Sequence, residues 1–335
     1  KTTAEKKQAL LDLILATDNA SDLQDCDLII EAVFEDRALK AKVTQEAEAQ
    51  MLPTGVFASN TSTLPITGLA TASARPAQFI GLHFFSPVDK MPLVEIIIGK
   101  QTTPETLARA FDYVMQIGKT PIVVNDSRGF FTSRTFATYV NEGMALLQDG
   151  CHPLAIEAAG FKAGMAVGPL AVQDEVSQEL SLKILKQTQK DLAAEGITVP
   201  EHPATAVVVK MVEQLGRIGK KSGKGFYDYP ATGTKTIWPE LATHFPVKAD
   251  APCERDMIER LLFAQANEAA KIYEEGVLMK VADANIGSVF GIGFAPHTGG
   301  SLQYINAYGV AKFVARSEEL AAKYGARFKP ANLLV

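Results

Sequence analysis

The stretch GLHFFSPVDKMPLVEI (Gly81–Ile96) holds one histidine, His83, and one glutamate, Glu95, each set in an apolar run. FIGL before the histidine and LVEIII around the glutamate are short, continuous and rich in branched residues, the pattern of buried strands. A carboxylate in such a run is costly without a partner. Two strands joined by SPVDKMP bring His83 within reach, so the spacing points to an oriented His–Glu pair. Histidine changes charge near neutral pH, and a carboxylate on one ring nitrogen fixes the tautomer and stabilises the imidazolium. The chemistry this suits is proton abstraction by a general base. The same two residues also suit a satisfied core histidine and a glutamate bonded elsewhere.

A second group is ASNTST (Ala58–Thr63), which ends another apolar run and supplies Asn60, Thr61, Ser62 and Thr63. In an open α/β sheet the ligand crevice lies outside the carboxyl ends of the strands, where both this turn and His83 fall. Hydroxyls there serve equally as helix caps. A third group is DSRGFFTSR (Asp126–Arg134), with Gly129 open to close backbone approach and Ser133 on the first turn of a helix. Its Arg128 and Arg134 suit an anionic substrate or a solvated face.

The elements that must position these groups follow from periodicity. Thr3–Leu13 reads as a helix and Ile14–Thr17 as a short strand. Cys26–Phe34 reads as a buried strand, followed by a helix over Asp36–Met51 that Pro53-Thr54-Gly55 ends. Val56–Asn60 and the two runs around His83 and Glu95 are further strands. A helix opens at Thr103-Pro104 and Pro121–Asn125 closes the segment. Strands alternating with helices imply a mostly parallel sheet covered on both faces. After Asp126 helical periods dominate and strands are no longer expected. The Gly-, Lys- and Pro-rich Gly219–Glu240 reads as a connection.

Two helical blocks resemble each other. NEGMALLQDG (Asn141–Gly150) aligns with NEAAKIYEEG (Asn267–Gly276), and each leads into an apolar–acidic stretch and a Gly- and Pro-containing turn. The order predicts a duplicated helical unit whose copies pack together. The expected organisation is a partial dinucleotide-binding domain (1–126), a first helical domain (127–230), a linker (231–251) and a second, duplicated helical domain (252–335).

The chain has 335 residues, enough for several cores, with 47% hydrophobic and 21% charged residues. A formal net charge of −5 argues against a nucleic-acid binder. No apolar run is long enough for a transmembrane helix. Three widely spaced cysteines form neither a disulfide framework nor a metal cluster, which points to a reducing, cytoplasmic compartment. Residues 1–125 lack the G-x-G-x-x-G fingerprint of a dinucleotide fold. The expectation is therefore a fragment or processed product, with the first βαβ unit upstream of Lys1 and an uncovered sheet edge.

Taken in order, DLIIEAVFEDRALK, ASNTSTLPIT, GLHFFSPVDKMPLVEI, DSRGFFTSR and GKKSGKGFYDYP resemble the (3S)-3-hydroxyacyl-CoA dehydrogenases. The likeness is strongest to the dehydrogenase part of the multifunctional fatty-acid-oxidation enzymes and spans nearly the whole chain. It implies a Rossmann-type α/β domain, incomplete here, followed by two related all-α domains. It further implies NAD as cofactor and an acyl-CoA substrate. An upstream enoyl-CoA hydratase domain in the same parent chain and a thiolase subunit are the implied partners. His83 would be the general base, Glu95 its orienting carboxylate, and Ser62 the serine that bonds the substrate oxygen and the cofactor's amide end. Val33, Phe34, Glu35, Lys40, Asn60 and Ser86 would line the cofactor. Ser133 and Tyr304 would meet the substrate. Ser133 and Ser86 stand where relatives often carry asparagine. No metal is implied. A second reading makes the chain a catalytically silent core that serves interdomain or subunit contacts.

Overall fold

The computed structural model describes residues 2–194, 196–198 and 201–335. Contacts divide the chain into two units, Lys1–Phe85 with Val94–Arg128, and Ser86–Leu93 with Gly129–Val335.

The first unit is built on the apolar runs. Leu28–Glu31 (β1), Val56–Ser59 (β2), Phe79–Phe84 (β3), Leu93–Ile98 (β4) and Thr120–Asn125 (β5) form one sheet in the order β1-β2-β3-β4-β5. β1, β2 and β3 run parallel, and β3 and β4 form an antiparallel pair. The helices of this unit are Ala4–Leu11 (α1), Arg37–Glu48 (α2), Ile66–Leu69 (α3) and Pro104–Gln116 (α4). α2 starts because the Asp36 carboxylate accepts the Leu39 N–H at 2.7 Å. Thr103 caps α4 in the same way, with Pro104 at a first-turn position that needs no N–H.

Strand alternation sorts the side chains. Val56, Ala58, Ile80, Leu82, Val94 and Ile96 form a core with Ala110 and Val114 of α4. Gly81, His83, Glu95 and Ile97, one register step out of phase, occupy the opposite face. Gly81 is required there: a Cβ would stand 2.7 Å from the Ile66 side chain. Its absence lets α3 press onto the sheet.

Ile14–Thr17, expected as a strand, is not one. Leu13, Ile14 and Leu15 are 82, 62 and 77% exposed, and no described strand runs beside them. A strand persists only where a neighbour takes up its N–H and C=O groups.

The second unit is helical: Thr132–Gln148 (α5), Pro153–Lys162 (α6), Pro169–Val176 (α7), Gln178–Ala194 (α8), Ala204–Val209 (α9), Leu241–His244 (α10), Glu254–Glu274 (α11), Val281–Ile292 (α12), Ser301–Tyr308 (α13) and Val310–Tyr324 (α14). Strands do recur here, against expectation. Tyr227–Asp228 (β6) pairs with Thr236–Ile237 (β7) inside the segment read as a connection. The Asp174 carboxylate holds this hairpin by accepting the N–H groups of Phe226 and Tyr227 at 2.8 and 2.9 Å. Gly225 is needed beside it, since a Cβ would fall 2.1 Å from that carboxylate. Residues 231–251, expected as a linker, carry Leu241 and Phe245 into the same core as Leu146 and Leu261.

α5 and α11 pack antiparallel, because Arg134 at the start of α5 pairs with Glu275 past the end of α11, and Asp149 past the end of α5 pairs with Arg260. The pairing is reciprocal. Arg260 binds Glu142 and Asp149, while Arg134 binds Glu268 and Glu275. Each of these residues in or just past α11 follows its counterpart in or just past α5 at one constant spacing along the chain. A second echo lies at the following turns. Glu157 of α6 accepts the Leu170 N–H at the start of α7 (2.8 Å), and Asn285 of α12 accepts Leu302 N–H at the start of α13 (3.1 Å).

Candidate active site

His83 and Glu95 are directly opposed residues of the antiparallel β3/β4 pair. Cross-strand partners at one register step lie close enough for their side chains to bond. The His83 Nδ1 to Glu95 Oε2 distance is 2.9 Å. Glu95 is fully buried and His83 is 7% exposed, with its ring 4.4 Å from that of Phe85. An ion pair or charge-assisted hydrogen bond in so dry a place is strong and fixes the ring plane.

The Ser62 turn is held from three directions. Asp126, at the end of β5, accepts the N–H groups of Ile66 and Thr67 at 2.8 and 2.7 Å, anchoring the start of α3. The Thr61 hydroxyl accepts the Leu64 N–H at 3.1 Å and donates to Glu35 at 2.9 Å. Glu35 also accepts from the Ser62 N–H (2.7 Å) and from the Ser62 hydroxyl (3.1 Å). Asn60 closes the gap to the histidine strand, its side-chain oxygen accepting the Phe84 N–H at 3.1 Å. The loop after β1 and the loop after β2 are thereby tied together at the carboxyl ends of the parallel strands.

Beneath Glu35 lies a group that the sequence reading did not single out. Glu31, 5% exposed at the end of β1, accepts from the Lys40 ammonium at 2.9 Å and from the Val33 N–H at 3.1 Å. The Ser59 hydroxyl donates to it as well. Lys40 is 1% exposed and also donates to the Val33 carbonyl at 3.3 Å, with Glu35 at 3.8 Å. Its ammonium is taken up inside the protein. The signal was available: Glu31 is a carboxylate inside LIIEAV, the same anomaly that drew notice to Glu95. Asp126 and Thr61 gave no such signal, because capping residues are common in any loop.

Phe34 is 87% exposed on the loop it shares with Val33 and Glu35. That loop is the one Glu35 ties to Ser62 at the carboxyl ends of the parallel strands. The first unit thus brings together His83, Glu95, Asn60, Ser62, Val33, Phe34, Glu35 and Lys40. Ser86, Ser133 and Tyr304 belong to the second unit. Ser133 is half-buried in the first turn of α5. Tyr304 of α13 sits in an aromatic cluster with Phe263, Phe294, Tyr308 and Phe313, and burial pushes its phenol above the ordinary value. Among the described residues, no helix is long and apolar enough to cross a membrane.

Comparison with known proteins gives a consistent result. Residues 1–127 match the family model described as 3-hydroxyacyl-CoA dehydrogenase, NAD binding domain, and residues 129–229 match the C-terminal domain of the same family. The chain is 38% identical, over 97% of its length, to the fatty acid oxidation complex subunit alpha of Shewanella frigidimarina, and spans 45% of that protein. It therefore covers less than half of this curated relative. The crystal structure of (S)-3-hydroxybutyryl-CoA dehydrogenase PaaH1 from Ralstonia eutropha matches 68% of the chain and 80% of its own, at 32% identity and a TM-score of 0.62. The 3-hydroxybutyryl-CoA dehydrogenase of Escherichia coli K12 matches 99% of the chain and 85% of its own, with a TM-score of 0.81. At 23% identity that last likeness is one of fold.

Proposed function

Since the chain belongs to the 3-hydroxyacyl-CoA dehydrogenase family, we propose that it serves the NAD-dependent oxidation of (3S)-3-hydroxyacyl-CoA to 3-oxoacyl-CoA in fatty acid oxidation. The observation that carries this reading is the buried His83–Glu95 pair at the mouth of an NAD-binding sheet.

NAD, when bound, supplies the hydride acceptor at its nicotinamide ring. His83 takes the proton of the 3-hydroxyl on Nε2, the ring nitrogen away from Glu95. Glu95 holds Nδ1 as the donor, so that the imidazole keeps one tautomer before transfer and its charge is balanced afterwards. The Ser62 hydroxyl donates to Glu35. Its lone pairs are then the groups offered to ligand, so it accepts from the N–H of the nicotinamide amide. Val33, Phe34 and Glu35 form the cofactor-side loop, and Lys40 supports it from within. Asn60 orders the edge between this loop and His83. Ser86 extends the cofactor side, and Ser133 and Tyr304 meet the acyl-CoA.

The helical blocks 127–230 and 252–335 are read as two copies of one unit, supported by the reciprocal arginine–carboxylate pairs. An enoyl-CoA hydratase domain in the same parent chain and a thiolase subunit are the proposed partners, supported by the likeness to an oxidation-complex alpha subunit. The test is NADH oxidation by the full protein with acetoacetyl-CoA as acceptor. Turnover that vanishes in His83→Gln supports the assignment. A full-length protein that leaves NADH unchanged overturns it.

A further inference from the structure

The carboxylate at the base of the cofactor-side loop, Glu31, is bonded within the protein. Glu31 is buried, and its three partners are all internal: Lys40, the Val33 N–H and the Ser59 hydroxyl. Two carboxylates compete for the Lys40 ammonium, Glu31 at 2.9 Å and Glu35 at 3.8 Å. Glu35 lies on the exposed loop and uses its oxygens on Thr61 and Ser62 instead. A buried ammonium requires a counter-charge, and it takes the nearest one available.

We infer that Glu31 is a positioning residue: by satisfying Lys40 from below, it leaves Glu35 to hold Ser62 in the orientation in which the serine accepts from ligand. Loss of the Glu31 charge draws Glu35 onto Lys40, and Ser62 loses both its N–H and its hydroxyl acceptor. The effect on ligand thus passes through Ser62 and not through the fold at large. This inference rests on the functional reading above for the identity of the ligand.

The test is a double-mutant cycle in the full protein, read by NADH binding in a fluorescence titration, by kcat/KM for acetoacetyl-CoA reduction and by thermal midpoint. Glu31→Gln is expected to weaken NADH binding about tenfold when Ser62 is present and less than twofold in a Ser62→Ala background, the non-additivity of residues acting in series. The thermal midpoint falls equally in both backgrounds. An equal loss of NADH affinity in both backgrounds assigns Glu31 a structural role alone and overturns the proposal. If Glu31→Gln does not fold, Glu35→Gln takes its place, because Glu35 is exposed and its removal leaves no buried charge. It is expected to give the same tenfold loss, absent in the Ser62→Ala background; unchanged NADH binding overturns the proposal. A protein that binds NADH but does not reduce acetoacetyl-CoA fails the functional reading and leaves the NADH cycle to decide this one.

Discussion

Two fully buried glutamates, one in each unit, face a nitrogen base and do opposite work. Glu95 faces His83 across an antiparallel register step. Glu142 of α5 faces Arg260 of α11, with Arg327 on its second oxygen at 2.8 Å and His202 at 3.9 Å. Burial pushes the Glu142 carboxyl up, but the Arg260 and Arg327 guanidiniums outweigh it and hold the group below its ordinary value. Arginine does not release its proton at any working pH, so this network can only hold elements together. An imidazole, unlike a guanidinium, is a side chain that can serve as a general base, which is the role proposed for the partner of Glu95. The chemical identity of the partner, not the burial of the carboxylate, separates the proposed catalytic pair from a clamp.

The largest expected break in this comparison is His83→Gln. Turnover should fall about 100- to 10,000-fold, the usual contribution of a positioned general base, with the thermal midpoint near that of the parent. Assay and melt on one preparation check both halves; normal turnover would falsify the base assignment. Glu142→Gln should do the reverse. It takes the buried counter-charge from Arg260, which keeps only the partly exposed Asp149, and from Arg327, and lowers stability by about 3 kcal/mol, while kcat of the folded fraction is unchanged. Denaturant titration beside the activity assay decides it, and a kcat that falls with stability would erase the contrast.

The same glutamate predicts a pH dependence. Its folded pKa lies below the unfolded one, so its contribution is present above the ordinary glutamate value and lost as pH falls through the folded pKa. The parent should lose stability more steeply than Glu142→Gln in that acid window, and parallel curves would contradict the assignment.

Glu95→Gln keeps an acceptor for Nδ1 and removes only the charge. The expected loss in kcat is at least about 10- to 100-fold, the range seen for carboxylates that orient metal-bound histidines. Parent-like kcat would reduce Glu95 to a packing residue. The smallest effect belongs to Arg134→Met. This is the sequence counterpart of Arg260, but its pair with Glu275 is half open to solvent. Screening limits the loss to about 1 kcal/mol or less. A loss as large as that in Glu142→Gln would show that the two reciprocal pairs are equivalent after all.

Much of the site was legible from residue types. His83 and Glu95 were found because a charge in an apolar strand must be satisfied nearby, and a short loop leaves few candidates. The Ser62 turn was found because strand ends in an α/β sheet are where ligands sit. Glu31 obeyed the first of these rules and was passed over, because its partner Lys40 lies across a helix start and not across a hairpin. The strand expected at Ile14–Thr17 failed because a strand is a property of a pair, and one segment's pattern carries no information about its neighbour.

The chain's own order of residues thus determined the family motifs, the alternation of strands and helices, and the pairing of one histidine with one glutamate. These rest on local periodicity and on the high free energy of an isolated buried charge, and both act over short stretches. Only the tertiary structure decided which carboxylate takes the Lys40 ammonium, that Asp126 anchors the Ser62 turn from the far end of the sheet, and that α5 and α11 exchange reciprocal ion pairs. The last two join residues far apart in sequence, and at Lys40 two carboxylates lie within reach along the chain; in each case the candidates are chemically equal and geometry alone selects among them.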